Sequence, residues 1–166
     1  MSATEEYIAA LARLKPGDLG MLRTHAGKGL DESVGGFDLF AGLWWPLRQK
    51  NKSAPRRQVA WLIAKLYAYH PIPQSSNDTL ARQLRRCQSG EARERERLRQ
   101  KFDELLALPL DKIEPALQWA LDVLASHGRK LDWVHLTDNL SVWERESTRL
   151  KWAEEFITTN ERSESC

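Results

Sequence analysis

Apolar residues recur at helical spacing along this 166-residue chain, and that spacing constrains the fold more than any other feature. The clearest apolar stripe follows Pro55 and consists of Val59, Leu62, Ile63 and Leu66. Its i, i+3, i+4, i+7 pattern is typical of a buried helix face. No segment alternates between apolar and polar residues as a half-buried strand does. The sequence therefore predicts an all-α protein, an antiparallel helical bundle of about eight helices.

Local signals predict where several of these helices begin and end. The predicted N-terminal caps are Ser2, paired with Glu5 in a capping box, Asp18, Asp111 and Asp132. Gly128 has the position of a glycine that follows the last turn of a helix. Pro46 is predicted to end a helix, which makes residues 49–54 a solvated connection. Four glycines between Gly27 and Gly36 predict a loop.

The connection from His70 to Ser76 contains two prolines and several polar residues. Such a segment ends one helix and precedes a cap for the next. The chain is long enough for one domain with a sizeable core. We therefore expect a single domain over residues 1–166, with two possible small lobes at residues 1–72 and 76–166.

Several classes of protein are disfavoured by what the sequence lacks. No run approaches the roughly 18 consecutive apolar residues that cross a membrane. Residues 1–13 have no signal-peptide pattern, so we expect a cytoplasmic protein without membrane contact. Cys87 and Cys166 have neither a disulfide nor a metal-ligand spacing and are interpreted as free thiols.

No catalytic motif stands out either. The glycine-rich segment lacks the Gly-Lys-Ser/Thr ending of a nucleotide-binding loop, and no nucleophile has a recognisable base near it. The four histidines have no second histidine or cysteine at helical metal-pair spacing. We expect no enzyme activity, no metal site and no cofactor.

The charges are unevenly distributed, although the net charge is only +2. Residues 45–65 contain six basic residues and no acidic residue. Residues 82–101 contain eight basic residues and three glutamates, whereas residues 144–166 contain six glutamates and four basic residues. An uneven distribution of this kind indicates a polarised surface that can attract an anionic partner.

Two groups of cations have positions that favour phosphate binding. Arg93, Arg97 and Lys101 follow one another at i, i+4 and i+8, which puts three cations along one line of a helix. Arg56 and Arg57 stand at a helix start, where positive charge opposes the helix dipole. The alternative interpretation of both groups is an ordinary solvated surface.

Seven tryptophans can serve the core or stack on unpaired bases. Three of them lie on apolar helix faces and are predicted to be in the core: Trp44, Trp133 and Trp143. The positions of the other four leave the choice open between helix contacts, a subunit interface and a cation–π surface: Trp45, Trp61, Trp119 and Trp152.

Several short motifs follow one another in an informative order. They are Pro55-Arg56, Leu80-Ala81-Arg82, Phe102-Asp103-Glu104-Leu105-Leu106, Leu131-Asp132-Trp133, Trp143 and Glu154-Glu155-Phe156. From about Leu11 to Phe156, their order and spacing resemble the CasB family, the small subunit of the type I-E CRISPR surveillance complex Cascade.

This resemblance implies a non-catalytic subunit that lies as a head-to-tail pair beside other Cascade subunits, the CRISPR RNA, and the target and non-target DNA strands. Its basic residues would help to stabilise the R-loop, including the displaced strand, while base pairing supplies specificity. By position, the resemblance implies nucleic-acid contacts at Arg56, Arg23, Arg145 and Arg149. The positions of the basic residues on their predicted helices add Arg57, Arg97 and Lys101 to these predicted nucleic-acid contacts.

Two other functions remain as alternatives. The first is a purely structural helical adaptor, whose tryptophans contact proteins and whose arginines are only solvated. The second is a small helical hydrolase with a metal site built from distant histidines and carboxylates. Binding to nucleic acid would separate the leading hypothesis from the adaptor, and bound metal would identify the hydrolase.

Overall fold

A computed structural model describes residues 2–29 and 34–157, and in these residues it contains nine α-helices and no strand. The helices are α1 (Ala3–Ala12), α2 (Pro16–Arg23), α3 (Val34–Lys50), α4 (Arg57–Tyr69), α5 (Leu80–Arg86), α6 (Ala92–Ala107), α7 (Glu114–Ser126), α8 (Trp133–Leu140) and α9 (Glu146–Ile157). A 3-10 turn, Leu110–Lys112, precedes α7. The all-α bundle is confirmed, with nine helices where about eight were predicted.

Helix α4 lies at the centre of the bundle. It packs against α2, α3, α7 and α8, and every residue from Val59 to Ala68 is buried. The predicted apolar stripe is therefore part of a helix that is enclosed on all sides. The buried side chains on both sides of residues 70–76 belong to one cluster. The division into lobes at residues 1–72 and 76–166 stays a prediction.

Three predicted helix ends are confirmed. The Ser2 hydroxyl accepts from the Glu5 amide, and the Glu5 carboxylate accepts from the Ser2 amide. Asp132 caps α8 by accepting from the His135 amide at 3.0 Å. Gly128, with φ +62°, follows α7 in the left-handed conformation that glycine adopts without strain.

Two aspartates predicted as caps lie elsewhere. Asp18 lies inside α2, because α2 already begins at Pro16. Proline suits the first turn of a helix, since its missing N–H has no partner there in any helix. Asp111 lies inside the 3-10 turn, and α7 begins only at Glu114. Both predictions were wrong because each helix has a proline in its first turn, Pro16 in α2 and Pro115 in α7, and begins there and not directly after the aspartate.

Helix α3 does not end at Pro46, as was predicted, but continues to Lys50. Pro46 cannot donate to the carbonyl four residues earlier, so this turn lacks one hydrogen bond. Two side chains tie the following segment back to α3. The Arg48 guanidinium donates to the Ala54 carbonyl at 2.6 Å, and the Trp44 indole donates to the Pro55 carbonyl at 2.6 Å. These contacts support a helix that the local sequence disfavours.

The predicted loop from Gly27 to Gly36 is shorter than expected, because α3 already begins at Val34. Residues 30–33 of that loop lie outside the described residues. The part at Gly27–Gly29 is a turn and coil segment that follows α2.

A buried ion pair fastens the turn after α2 to the centre of the bundle. Lys65 Nζ lies 2.6 Å from Glu114 Oε1 and donates to the Lys28 carbonyl at 2.7 Å. The other Glu114 oxygen accepts from the Gly27 amide at 2.8 Å. The Lys65 side chain is 4% exposed and that of Glu114 is 12% exposed. Lys65 was one of the six basic residues between 45 and 65, so that segment presents less surface charge than its sequence suggests.

Asp132 also anchors the connection between α4 and α5. Its carboxylate accepts from the Gln74 side chain at 2.9 Å and from the Asn77 amide at 3.0 Å. Burial opposes ionisation, but these hydrogen bonds and the one from the His135 amide hold the pKa of Asp132 below its ordinary value. The connection is therefore fixed against the start of α8.

Candidate nucleic-acid interface

The structure places the predicted site residues in three regions. Around the start of α4 lie Arg56, Arg57 and Arg149, with Arg145 near Arg149 in sequence. On α6 lie Arg97 and Lys101. Arg23 lies at the other end of α4, where its Nε donates to the Ala68 carbonyl at 2.8 Å.

Arg56 and Arg57 differ in their partners. Arg56 is the N-cap residue of α4, and its Nη2 lies 2.5 Å from Glu144 Oε1. The hydrogen bond from Arg56 holds the pKa of Glu144 below its usual range. Arg57 is the first residue of α4 and is exposed. In the described part of the chain, no carboxylate pairs with Arg57.

Positive charges are concentrated at the start of α4. No side chain caps this helix end, so its first amides add the positive end of the helix dipole to the two guanidinium charges. A cation in this position costs a helix about 0.3–1 kcal/mol. Glu144 offsets the charge of Arg56 but does not pair with Arg57. The arrangement therefore favours an additional anion beside Arg57.

A third arginine, Arg149, lies near Glu144. The Arg149 charge contributes to the lowered pKa of Glu144, after the hydrogen bond from Arg56. The Arg149 guanidinium lies 5.5 Å from the centre of the Trp143 ring, and its Nε donates to the Trp143 carbonyl at 3.1 Å. Arg145 is exposed and directly follows Glu144. The structure thus groups residues that are nearly 90 positions apart in the sequence.

An open groove lies between α3 and the start of α4. Its volume is about 570 Å³, and its lining residues are Phe40, Ala41, Trp44, Trp45, Arg48, Arg56 and Arg57. This surface is named the α3–α4 groove below. Arg48 was not among the predicted site residues. The i, i+4 spacing of Trp44 and Arg48 on a continuous helix was the available signal, but the predicted helix end at Pro46 concealed it.

The cations on α6 form a second basic surface. Arg93, Arg97 and Lys101 are exposed, and successive members lie about 6 Å apart along the helix axis. In residues 2–29 and 34–157, neither Arg93 nor Arg97 has an ion pair, although Glu94 and Glu96 lie between them. Lys101 Nζ lies 5.6 Å from the centre of the Trp119 ring. These three residues are named the α6 cation line.

Arg23 is not brought together with these groups. Its partner, Ala68, is in the last turn of α4, about 17 Å along the helix axis from Arg57. A cation at a helix C-terminus satisfies a carbonyl that has no partner in the helix and complements the dipole. This contact is a structural one, and a nucleic-acid contact at Arg23 stays a prediction.

The tryptophans divide between the core and the surface. Trp133 and Trp143 are buried, as predicted, whereas Trp44 is only half-buried. Trp61 and Trp152 are also buried, and each indole N–H has an acceptor: the Lys28 carbonyl and the Asn139 side chain, respectively. Trp45 is 50% exposed and is the tryptophan most available to a ligand among the described residues.

The described residues contain no group of three or more His, Cys, Asp or Glu residues that could hold a metal ion. In that same part of the chain, no helix is both long enough and apolar enough to span a membrane. Cys87 is a free thiol, as predicted, and burial raises its pKa. Cys166 lies outside the described residues.

The fold and the site together define a small helical protein with two surface features: an exposed tryptophan, and arginines that have no ion pair among the described residues. The chain matches the family described as CRISPR-associated protein Cse2 over residues 8–156. It belongs to this family, the CasB small subunits of the type I-E Cascade complex. The predicted resemblance is confirmed, and the chain is a Cascade subunit of CRISPR defence.

Solved CasB structures have the same fold. CasB from M. ruber superposes with a TM-score of 0.76 at 22% identity, covering 99% of this chain and 97% of that chain. CasB from Thermobifida fusca gives 0.71 at 17% identity, covering 94% and 98%. CasB from Thermus thermophilus gives 0.70 at 23% identity, also covering 94% and 98%. No curated protein sequence matches the chain significantly.

Proposed function

We propose that this subunit binds nucleic acid through its basic helix surfaces and stabilises the R-loop of guide RNA and target DNA, including the displaced strand. It acts in the cytoplasm, without a catalytic centre, as one of a head-to-tail pair beside other Cascade subunits. One observation carries the proposal. Arg57 stands at the uncapped positive end of α4 and has no acidic partner in the described part of the chain.

The proposed mechanism is electrostatic. Forming an R-loop exchanges one duplex for another of similar stability, so a few backbone contacts decide the balance. Arg57 and the α6 cation line would supply such contacts, because guanidinium and ammonium groups bind phosphate oxygens whatever the base sequence. Each neutralised phosphate releases condensed counterions, which makes binding fall as salt rises. The guide pairing would then select the target, and this subunit would hold the opened strands.

Fluorescence anisotropy tests this function directly. Purified protein is titrated into unrelated single-stranded and duplex DNA over a range of salt concentrations, and the wild type is compared with Arg56→Ala/Arg57→Ala. We expect sequence-independent binding that weakens with salt. In the variant, the slope of log affinity against log salt should become shallower by roughly 1 for each phosphate that the protein no longer neutralises.

A matched control removes two other exposed cations, Arg13→Ala/Lys15→Ala. Arg13 lies beside Leu43 and Leu47, which are on a different side of α3 from the α3–α4 groove. This variant should keep the wild-type salt slope. A wild type that binds no DNA even at the lowest salt would contradict the proposal and favour the structural adaptor.

A further inference from the structure

The floor of the α3–α4 groove is aromatic and lies on one helix. Phe40 is fully buried, and its ring is nearly parallel to that of Trp44, with centroids 5.7 Å apart and planes 8° apart. Trp45 follows, 5.7 Å from Trp44 at 51°. The series therefore runs from the core to a half-exposed indole. The Trp44 ring cannot turn away freely, because its indole is held by a hydrogen bond to the Pro55 carbonyl.

The rim of the groove is cationic. Arg48 is fixed in place by hydrogen bonds to the carbonyls of Lys52 at 2.9 Å and Ala54 at 2.6 Å. Arg56 and Arg57 come from the start of α4 on the opposite side. Three arginines thus surround an apolar surface, and none of the described residues that line the groove is acidic. Glu144 reaches this rim through its pair with Arg56.

These two features together select one kind of occupant. An apolar peptide would cover the aromatic floor but leave the charge of Arg57 without a partner. A phosphate alone would neutralise Arg57 but leave Trp45 exposed to water. An unpaired nucleotide has both a flat aromatic base and a phosphate, and base–aromatic stacking tolerates any base. The groove volume is within the range of sites that enclose small ligands.

We propose that the α3–α4 groove binds an unpaired nucleotide of a single strand, with its base stacked on Trp45 and its phosphate beside Arg57 at the start of α4. This inference rests on the proposed function and names the part of the strand that the site recognises. A base-paired strand cannot occupy the groove in this way, because its bases are already stacked inside the duplex. The groove therefore makes the protein prefer single-stranded over duplex nucleic acid of equal charge.

The test separates base from phosphate. Anisotropy is measured with an oligothymidylate of about ten nucleotides and with an abasic oligonucleotide of the same length and charge. The wild type should bind the intact strand roughly tenfold more tightly. Trp45→Ala should reduce that affinity to the abasic level, without changing either the affinity for the abasic strand or the salt slope.

Two further variants make the result specific. Trp45→Phe keeps an aromatic ring and should retain most of the preference for the intact strand. Ile157→Ala removes another exposed apolar side chain, at the end of α9, and should behave as the wild type. Quenching of tryptophan fluorescence by the intact strand should be strongly reduced in Trp45→Ala.

The outcomes distinguish this inference from the proposed function. A wild type that binds the intact and abasic strands equally, with a normal salt slope, would overturn base stacking and leave the phosphate clamp standing. A Trp45→Ala protein that still discriminates between the strands would overturn it as well, because the base would then be recognised at another place on the protein. A wild type that binds neither strand would overturn both proposals.

Discussion

The two ends of α4 use their positive charges in opposite ways. Towards the C-terminal end, Lys65 is paired with Glu114 and Arg23 donates to the Ala68 carbonyl. At the N-terminal end, Arg56 has an exposed pair and Arg57 has none among the described residues. A cation whose partner lies within the protein supports the fold, whereas a cation without one is available to a ligand. The density of charged residues along the sequence does not distinguish these two kinds of cation.

The largest expected effect is at the buried pair. Lys65→Met would leave the Glu114 carboxylate buried without its cation, which should lower the free energy of unfolding by about 3 kcal/mol. Urea denaturation measures this loss, and the DNA affinity of the folded variant should keep the wild-type salt slope. Lys65→Met/Glu114→Gln removes both charges and should recover part of the stability. If Lys65→Met alone were as stable as the wild type, Lys65 would not support the fold, and the two ends of α4 would not differ in the way described.

Arg23→Ala tests whether the C-terminal contact is structural. Loss of the hydrogen bond to the Ala68 carbonyl should lower the free energy of unfolding by about 1 kcal/mol. Thermal or urea unfolding measures the change. The salt slope of DNA binding should match that of the wild type. A shallower slope would instead place Arg23 on the nucleic acid, as the family resemblance implied.

Arg57→Glu should change stability and binding in opposite directions. A carboxylate in the first turn complements the helix dipole, so the free energy of unfolding should rise by about 0.5 kcal/mol. The same change repels phosphate, so DNA affinity should fall and its salt slope should become shallower. Urea denaturation measures the free energy of unfolding, and fluorescence anisotropy on the same preparation measures the DNA affinity. A loss of stability would mean that Arg57 supports the fold after all.

Glu144→Gln should have the smallest effect on stability, a few tenths of a kcal/mol, because its pair with Arg56 is exposed. Releasing Arg56 should strengthen DNA binding and steepen its salt slope, as measured by anisotropy. Unchanged affinity would show that the pair does not restrain Arg56.

The same pair has a defined pH dependence. Arg56 holds the folded-state pKa of Glu144 below the ordinary value of about 4.3. The contribution of the Arg56–Glu144 pair to stability is therefore complete at pH values above that ordinary pKa. It is lost as the pH falls through the lower folded-state pKa of Glu144. Wild type and Glu144→Gln should converge in stability at acidic pH.

Local signals in the sequence predicted the helical class and several helix ends. The capping box at Ser2, the cap at Asp132 and the glycine at 128 all act within four residues, so they are visible in the sequence. The spacing of apolar residues similarly identified α4. The cations at 56, 57, 97 and 101 could be proposed as ligands for nucleic acid, and they stay predictions.

What escaped prediction depends on contacts between distant residues. Pro46 stays in a helix because side chains of α3 bind the following segment, and Lys65 is buried because Glu114 reaches it from α7. The Arg56–Glu144 pair joins positions that are 88 residues apart. No short pattern records such pairs. The α3–α4 groove was missed for this reason, since it needs both the continuous α3 and the start of α4.

The enclosure of α4 by four helices also has a kinetic consequence. The backbone of Arg57 continues directly into this buried helix, so it is in place before any strand arrives. Binding there would restrict side-chain rotamers but would not have to order a loop. For the proposed strand, encounter would therefore be limited by diffusion and charge steering, and added salt would slow association more than it speeds dissociation.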